Sequence, residues 1–589
     1  MSTDARTTVS LFDLARKLPA IVAELPRMLR SVQGILLKPD HRVSVGLYFQ
    51  RSAHRHPDRP FLRFEGTTYS YGEANAQVNR YASVLAARGV RRGDVVGILM
   101  TNRPEMLFVV LATVKLGATA GMLNYHQHSR TLAHSIDLLG SVLTVVGAEC
   151  AEAIDSLPEP PDNVVSATEL DRAAEHAEAT DPPVCSEITA GEHAFLIFTS
   201  GTTGLPKASV MTHLRWAKSL AAFGHFAVRL HGEDTLYCCL PLYHSNALAV
   251  ALPAVLAADA TFALGREFSA SRFWDEVIRE QATAFTYIGE LCRYLIDQPP
   301  RPADRHHKVR LAIGNGLRAE LWDEFSARFG IGQIIEFYGA SESNIAFANV
   351  FQIDRTAGFT LLPYAVVAYD TETGKALRDE KGRLHRVGRG QVGLLLSKVT
   401  DYSPFDGYTD KAATEGKLVR DGFEPGDTWF DTGDLVRDQG LCHIAFVDRL
   451  GDTFRWKGEN VSATEVEAVL DGAESIAEAV VYGVEIPGAD GKAGMAAVTL
   501  RPGAEFAASA VAEVVYEQLP GYAIPLFVRI VREHEMTSTF KPHKVELRKQ
   551  GYAPDDHSTL YVLAGRDEGY VPAYAGYPDD VVAGRAPKG

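Results

Sequence analysis

The ten residues Phe198-Thr199-Ser200-Gly201-Thr202-Thr203-Gly204-Leu205-Pro206-Lys207 constrain this chain more than any other stretch. Four hydroxyl side chains, two glycines and a lysine follow directly on Ala194-Phe195-Leu196-Ile197-Phe198, an apolar run that predicts a buried strand. Glycines let backbone N–H groups approach a ligand closely, hydroxyls donate hydrogen bonds, and Lys207 adds a positive charge. That combination suits phosphate oxygens. It is not the usual P-loop. Counted from Gly201, the second glycine of that pattern falls on Pro206, and Ala208 follows the lysine in place of Ser or Thr. The plain alternative is a Ser/Thr/Gly surface linker, which rarely carries so many donors straight after an apolar strand.

At 589 residues the chain is too long for a single core, so two or more domains are expected. A net charge of −15 argues against a nucleic-acid partner. It does not argue against ATP, because a local loop binds phosphates whatever the total charge. The six cysteines are scattered, with only Cys238 and Cys239 adjacent. They form neither a disulfide framework nor a zinc spacing, which points to a reducing, cytoplasmic compartment. The most apolar segments, 106–123 and 247–264, are interrupted by Lys115, Pro253 and Asp259, and neither predicts a transmembrane helix.

Residues 1–44 read as an amphipathic extension. Leu11, Leu14, Leu18, Ile21, Leu25, Met28 and Val32 recur at helical spacing beside Arg16, Lys17, Arg27, Arg30 and Lys38, and Pro19 and Pro26 predict a break or kink. Packing on the protein's own core is the favoured reading; peripheral contact with the inner face of the cell membrane is the alternative. From Pro60 onward the pattern becomes α/β. Strands are predicted at 61–64, 67–70, 94–100 and 141–146, with helices at 73–88 and 104–116, an alternation that suggests a mostly parallel, covered sheet. Segment 149–190 is polar and proline-rich and reads as a surface connection.

Further motifs follow in order. Pro241-Leu242-Tyr243-His244 succeeds an apolar run, and Tyr243–Ala249 holds no carboxylate. An unpaired ammonium group would be costly in such an apolar neighbourhood. Residues 286–294 read as a strand end entering a helix. Ile313-Gly314-Asn315-Gly316 places two glycines after an apolar run. Glu336-Phe337-Tyr338-Gly339-Ala340-Ser341-Glu342 offers a flat ring at Tyr338 and a hard oxygen ligand for Mg²⁺ at Glu342. Asp431-Thr432-Gly433-Asp434 and Asp448-Arg449-Leu450-Gly451-Asp452, running on to Lys457-Gly458-Glu459, come next, then Thr537-Ser538-Thr539-Phe540-Lys541-Pro542-His543-Lys544.

These motifs, over about residues 45–565, resemble the adenylate-forming superfamily of acyl-CoA synthetases, luciferases and amino-acid adenylation domains. Thr286–Tyr294, the wording around Arg455-Trp456-Lys457-Gly458, and Phe540 in place of the usual glycine are similar to the fatty-acid transport protein/very-long-chain acyl-CoA synthetase branch. The resemblance implies an α/β fold with a large ATP- and acyl-binding domain of layered α/β subdomains at 45–449. A small mobile α+β lid with a tail follows at 450–589. It implies ATP, Mg²⁺ and coenzyme A acting on a long-chain fatty acid through acyl-AMP. Thr199, Ser200, Gly201, Thr202, Thr203, Gly204 and Lys207 would hold phosphates, and Gly314, Asn315, Gly316, Tyr338, Gly339 and Ser341 the adenine side. Glu342 would hold the metal, His244 would border the acyl carboxylate, Asp434 would reach the ribose, and Arg449 the ribose or phosphate. Gly458 would face the pantetheine channel, and Lys541, rather than Lys544, would be the catalytic lysine. The hinge position falls on Gly451, with Asp452 beside it. Other readings are an acyl-AMP ligase serving a carrier protein, a luciferase-like oxygenase, and a fatty-acid uptake protein without chemistry.

Overall fold

The computed structural model describes residues 7–199, 206–319, 321–340, 342–370, 374–450, 453–456, 459–489, 491–536, 544–553 and 558–588. The chain forms two compact units, a large one of 1–364, 397–430 and 439–445 and a smaller one of 365–396, 431–438 and 446–589.

In the large unit, strands Thr235–Cys238, Ala284–Ile288, Leu311–Asn315 and Gln333–Tyr338 run parallel and adjacent. Thr261–Leu264 extends this sheet, followed by Pro60–Phe64, whose antiparallel partner Thr67–Ser70 returns through a turn at Glu65 and Gly66, both with positive φ. Residues such as Phe285, Leu311, Ile313 and Ile335 are wholly buried. This is why these strands read as continuous apolar runs rather than alternating ones. A second sheet has the order Val164–Ser166, Leu143–Val146, Val95–Leu99, Thr119–Met122, His193–Thr199, Lys207–Thr212, parallel except for the last pair.

Local chemistry sets the helix ends. Ser70 caps helix Tyr71–Ala87 and Glu73 returns the bond to the Ser70 N–H, a capping box. Pro104 opens helix Pro104–Lys115, where the missing N–H costs nothing. The polar segment 149–190 is more than a connection. It adds strand Val164–Ser166 to the sheet and helix Ala167–Ala174 to the face of Tyr71–Ala87. Its Asp181 meets Lys115, whose side chain is fully buried. The Lys115 ammonium donates to Asp181 (2.6 Å), Asn75 (2.9 Å) and Asn79 (2.6 Å).

At the N-terminus one helix, Leu11–Ile35, runs through both prolines instead of breaking. Pro19 and Pro26 are exposed, and so are Ala15 and Val22, the residues whose carbonyls lose their amide partners, so water can take those bonds. Met28, Ser31 and Gly34 are buried on one face. There a Cβ at Gly34 would fall 2.4 Å from the Ala221 methyl, so glycine permits the close approach.

In the smaller unit, strands Ile476–Glu485, Lys492–Leu500, Phe527–Ile530, Thr559–Gly565 and Gly569–Pro572 form one sheet. Helices Ala463–Asp471 and Ala508–Gln518 pack with it. The Tyr-rich tail belongs to this core: the Tyr570 hydroxyl donates to the Pro525 carbonyl and that of Tyr577 to Leu563, each at 2.8 Å. No helix among the described residues is long and apolar enough to cross a membrane.

Candidate active site

Strands His193–Thr199 and Lys207–Thr212 pair antiparallel with Thr199 opposite Lys207. Ser200, Gly201, Thr202, Thr203 and Gly204 lie outside the described residues, as do Ser341, Gly451, Asp452, Gly458 and Lys541. Beyond Lys207–Thr212 runs segment 406–409. The Val210 N–H donates to the Gly407 carbonyl (3.2 Å), the Thr409 N–H to Ala208 (3.1 Å), and the Thr212 hydroxyl to Asp406 (3.1 Å). This places the Tyr408 ring 5.7 Å from the Lys207 ammonium.

The Tyr408 hydroxyl hydrogen-bonds to the Glu342 carboxylate, and burial together with that negative charge raises the phenol's pKa. Arg215 completes the group. Its guanidinium donates to the carbonyls of Ala340 (3.2 Å) and Val210 (3.1 Å) and feels the charges of Asp406 and Glu342. Lys207 and Glu342, far apart in sequence, are thus joined through Tyr408, and Arg215 ties Ala340 to the strand that carries Lys207. Neither Tyr408 nor Arg215 stands in a pattern that sequence reading could single out.

The carboxyl ends of the parallel strands supply a second wall, the place where open α/β sheets bind ligands. Ile288 pairs with Asn315, and Gly314 with Glu336. Gly316 has φ +85°, which favours glycine, and a Cβ at Gly289 would fall 1.8 Å from the Gly316 carbonyl oxygen, so the two turns touch through backbone alone. The Asn246 amide lies 3.4 Å from the Tyr287 carbonyl and 3.5 Å from Asn315 Oδ1, tying the turn that carries His244 to both strand ends. The Tyr243 ring packs edge-on against Tyr125 at 5.2 Å, so Tyr125, unmarked in the sequence, joins this wall. Tyr338 is largely buried, its ring edge-on to Phe347 at 6.0 Å.

In the smaller unit, Asp434 is buried and its carboxylate lies 3.7 Å from Arg449 Nε. The Asp434 N–H donates to the Thr432 hydroxyl (3.1 Å) and that of Gly433 to Asp431 (2.8 Å), which fixes the turn. Among the described residues no three His, Cys, Asp or Glu side chains gather as a metal cluster. Glu342 still fits Mg²⁺, which takes one or two carboxylates and completes its shell with substrate phosphates and water.

Lys207 and the Glu342 carboxylate, joined through Tyr408 in a fold of parallel sheets, point to a nucleotide-binding enzyme of the α/β class. Residues 49–393 match the AMP-binding enzyme family and residues 465–541 the AMP-binding enzyme C-terminal domain, and the chain belongs to that family. It is 55% identical, over 99% of both chains, to the medium/long-chain-fatty-acid–CoA ligase FadD6 of Mycobacterium tuberculosis. It is 37% identical to long-chain fatty acid transport protein 2 of Rattus norvegicus, over 93% of this chain and 92% of the relative. The fold is shared with ATP-bound MatB from Rhodopseudomonas palustris: TM-score 0.70, 24% identity, 86% of this chain and 98% of that one.

Proposed function

We propose that this chain is an ATP-dependent fatty acid–CoA ligase that passes through acyl-AMP and releases AMP and pyrophosphate. The observation that carries the reading is the full-length likeness to a fatty acid–CoA ligase, joined to a site in which Lys207, Tyr408 and Glu342 are brought together. In the first step a fatty carboxylate oxygen attacks the α-phosphorus of ATP, and the bond from that phosphorus to pyrophosphate breaks. In the second the CoA sulfur attacks the acyl carbonyl, the bond to AMP breaks, and the thiol proton leaves to solvent.

Charge grows on phosphoryl oxygens in the first step, so catalysis there is mainly positioning and electrostatics. Thr199, Ser200, Gly201, Thr202, Thr203, Gly204 and Lys207 are the proposed phosphate ligands, and Lys541 the catalytic lysine. Mg²⁺ held by Glu342 would supply positive charge to the phosphates. Gly314, Asn315, Gly316, Tyr338, Gly339 and Ser341 are assigned to the adenine side, Asp434 and Arg449 to the ribose, His244 to the acyl carboxylate and Gly458 to the pantetheine path. Mass spectrometry of products formed with ATP and a fatty acid, in the presence of either CoA or a phosphopantetheinyl carrier protein, tests the acceptor. Acyl-CoA is expected, and acylation of the carrier alone would contradict it.

We also propose that the enzyme works in the cytoplasm, at the inner face of the cell membrane. Leu18, Val22, Leu25, Leu29, Val32 and Leu36 are exposed at alternating spacings of four and three, one stripe of helix Leu11–Ile35 and its cap, beside exposed Arg16, Arg30 and Lys38. An apolar stripe edged by cations suits an anionic lipid surface, where the substrate dissolves. Full-length protein should float with anionic vesicles, and Leu25→Glu with Leu29→Glu should abolish flotation. Undiminished flotation of that variant would refute the assignment.

A further inference from the structure

Glu336 is a buried carboxyl group in the middle of an otherwise apolar strand, and the reaction above gives it no task. Its neighbours are specific. Tyr287, Gly314 and Glu336 stand in one row across three adjacent parallel strands, Tyr287 paired with Gly314 and Gly314 with Glu336. The fully buried Tyr287 hydroxyl hydrogen-bonds to Glu336 Oε2. The bond crosses Gly314. A Cβ there would fall 2.3 Å from the Tyr287 carbonyl oxygen and 2.5 Å from its ring. Glu336 Oε1 accepts two backbone N–H groups, those of Gly316 and of Leu317 (3.2 Å). One carboxyl group therefore holds both the strand that leads to Gly289 and the turn after Asn315.

We propose that Glu336 is a positioning residue for ATP. Through Tyr287 and the amides of Gly316 and Leu317 it presets the 314–317 turn, and residue 314 is glycine because this bridge passes over it. The inference rests on the proposed ligase reading, in which that turn meets the adenine. With no acceptor at position 336, two inward-facing N–H groups would be left unsatisfied and the turn would relax. The cost would fall on nucleotide binding more than on the bond-making step.

The surroundings add a pH signature. Tyr287 faces the carboxyl group from its strand and Cys292 from helix Gly289–Asp297, and the amides face it from the turn. An ion pair between Arg318 and Glu290 at 3.6 Å links the residue after the turn to that helix. Burial pushes the Glu336 carboxyl up to about 8, against the hydrogen bonds that pull it down. The group is thus mostly neutral at pH 7 and gains an uncompensated buried charge as the pH rises past that value. The carboxylate keeps its hold on the two amides, but the new negative charge behind the turn repels ATP, itself an anion, which binds less well.

The test compares full-length wild type, Glu336→Gln and Glu336→Ala. Calorimetric ATP binding and steady-state rates are measured between about pH 6.5 and 9.5. Gln keeps an acceptor for both amides and an N–H donor for Tyr287, so at pH 7 its ATP Kd and KM should stay within about threefold of wild type. It should also lack the alkaline weakening of ATP binding expected of wild type near pH 8. Ala should raise KM for ATP about tenfold while kcat falls less than about threefold. The proposal is overturned if Gln keeps the alkaline weakening, or if Ala leaves ATP Kd and KM within about twofold. Should Ala fail to fold, the Gln comparison decides alone. If wild type binds ATP but ligates no fatty acid, the ligase reading has failed, and the binding data still decide the role of Glu336.

Discussion

Replacing Tyr408 by Phe removes one oxygen from the site and little else. Phe keeps a ring beneath Lys207, and segment 406–409 stays bonded to its neighbouring strand through the backbone. What is lost is the hydroxyl that hydrogen-bonds to the Glu342 carboxylate. A hydrogen bond to a charged group is worth about 1.5–3 kcal/mol, which corresponds to a factor of roughly 10 to 150. Outer groups that orient a metal's ligand cost a similar amount when removed, about 10–100-fold in affinity or activity. Arg215 stays beside Glu342, so the lower half of that range applies. The expected result is a rise of about tenfold in the Mg²⁺ concentration that gives half-maximal acyl-AMP formation, with a melting temperature lowered by no more than about 3 °C. The assay is fatty-acid-dependent exchange of labelled pyrophosphate into ATP, titrated with Mg²⁺ at saturating ATP. A half-saturating concentration within about twofold of wild type would refute the claim that Tyr408 orients a metal-bearing Glu342.

Other expectations come from the rest of the fold. Asp181→Asn leaves the buried Lys115 ammonium without its counter-charge and should destabilise by about 3–5 kcal/mol, whereas Lys115→Met should cost less because Asp181 retains access to water. Denaturant midpoints of the two variants decide this, and equal losses would contradict it. Burial works to raise the Asp181 pKa, but the Lys115 hydrogen bond and charge, with Asn79 and Asn75, pull it down to about 2, below its ordinary 3.8. Its contribution of about 2 kcal/mol is therefore complete above pH 4 and disappears as the pH falls toward 2, and the acid slope of stability should flatten in Asp181→Asn. Gly289→Ala would drive a methyl group into the Gly316 carbonyl, so soluble protein should show ATP binding weakened by about tenfold or more. Wild-type binding in that variant would mean the two turns separate freely.

Much of the large unit was legible in the residues. Strands such as Leu311–Asn315 sit under cover on both faces, so they are written as unbroken apolar runs, and the motifs stand at their carboxyl ends, where open α/β sheets commonly bind ligands. The segment 149–190 was harder. Its strand Val164–Ser166 is a three-residue sheet edge, too short for a period to show, and the role of Asp181 depends on a lysine 66 residues away. Helix Leu11–Ile35 defied its prolines because both lie on the solvent side. Tyr408 and Arg215 were invisible for a plainer reason: each acts through a neighbour brought close only by sheet pairing. Glu336 did leave a signal, a carboxylate inside Ile334-Ile335-Glu336-Phe337, where burial demands partners.

The measurement that bears most directly on the central claim is AMP release by the full-length protein with ATP, Mg²⁺ and palmitate, with and without CoA, beside Lys541→Ala. Release that rises with CoA, is accompanied by palmitoyl-CoA, and falls at least about a hundredfold in the variant is the expected outcome. No CoA-dependent AMP release with palmitate or with shorter and longer fatty acids, or a Lys541→Ala protein as active as wild type, would contradict the account.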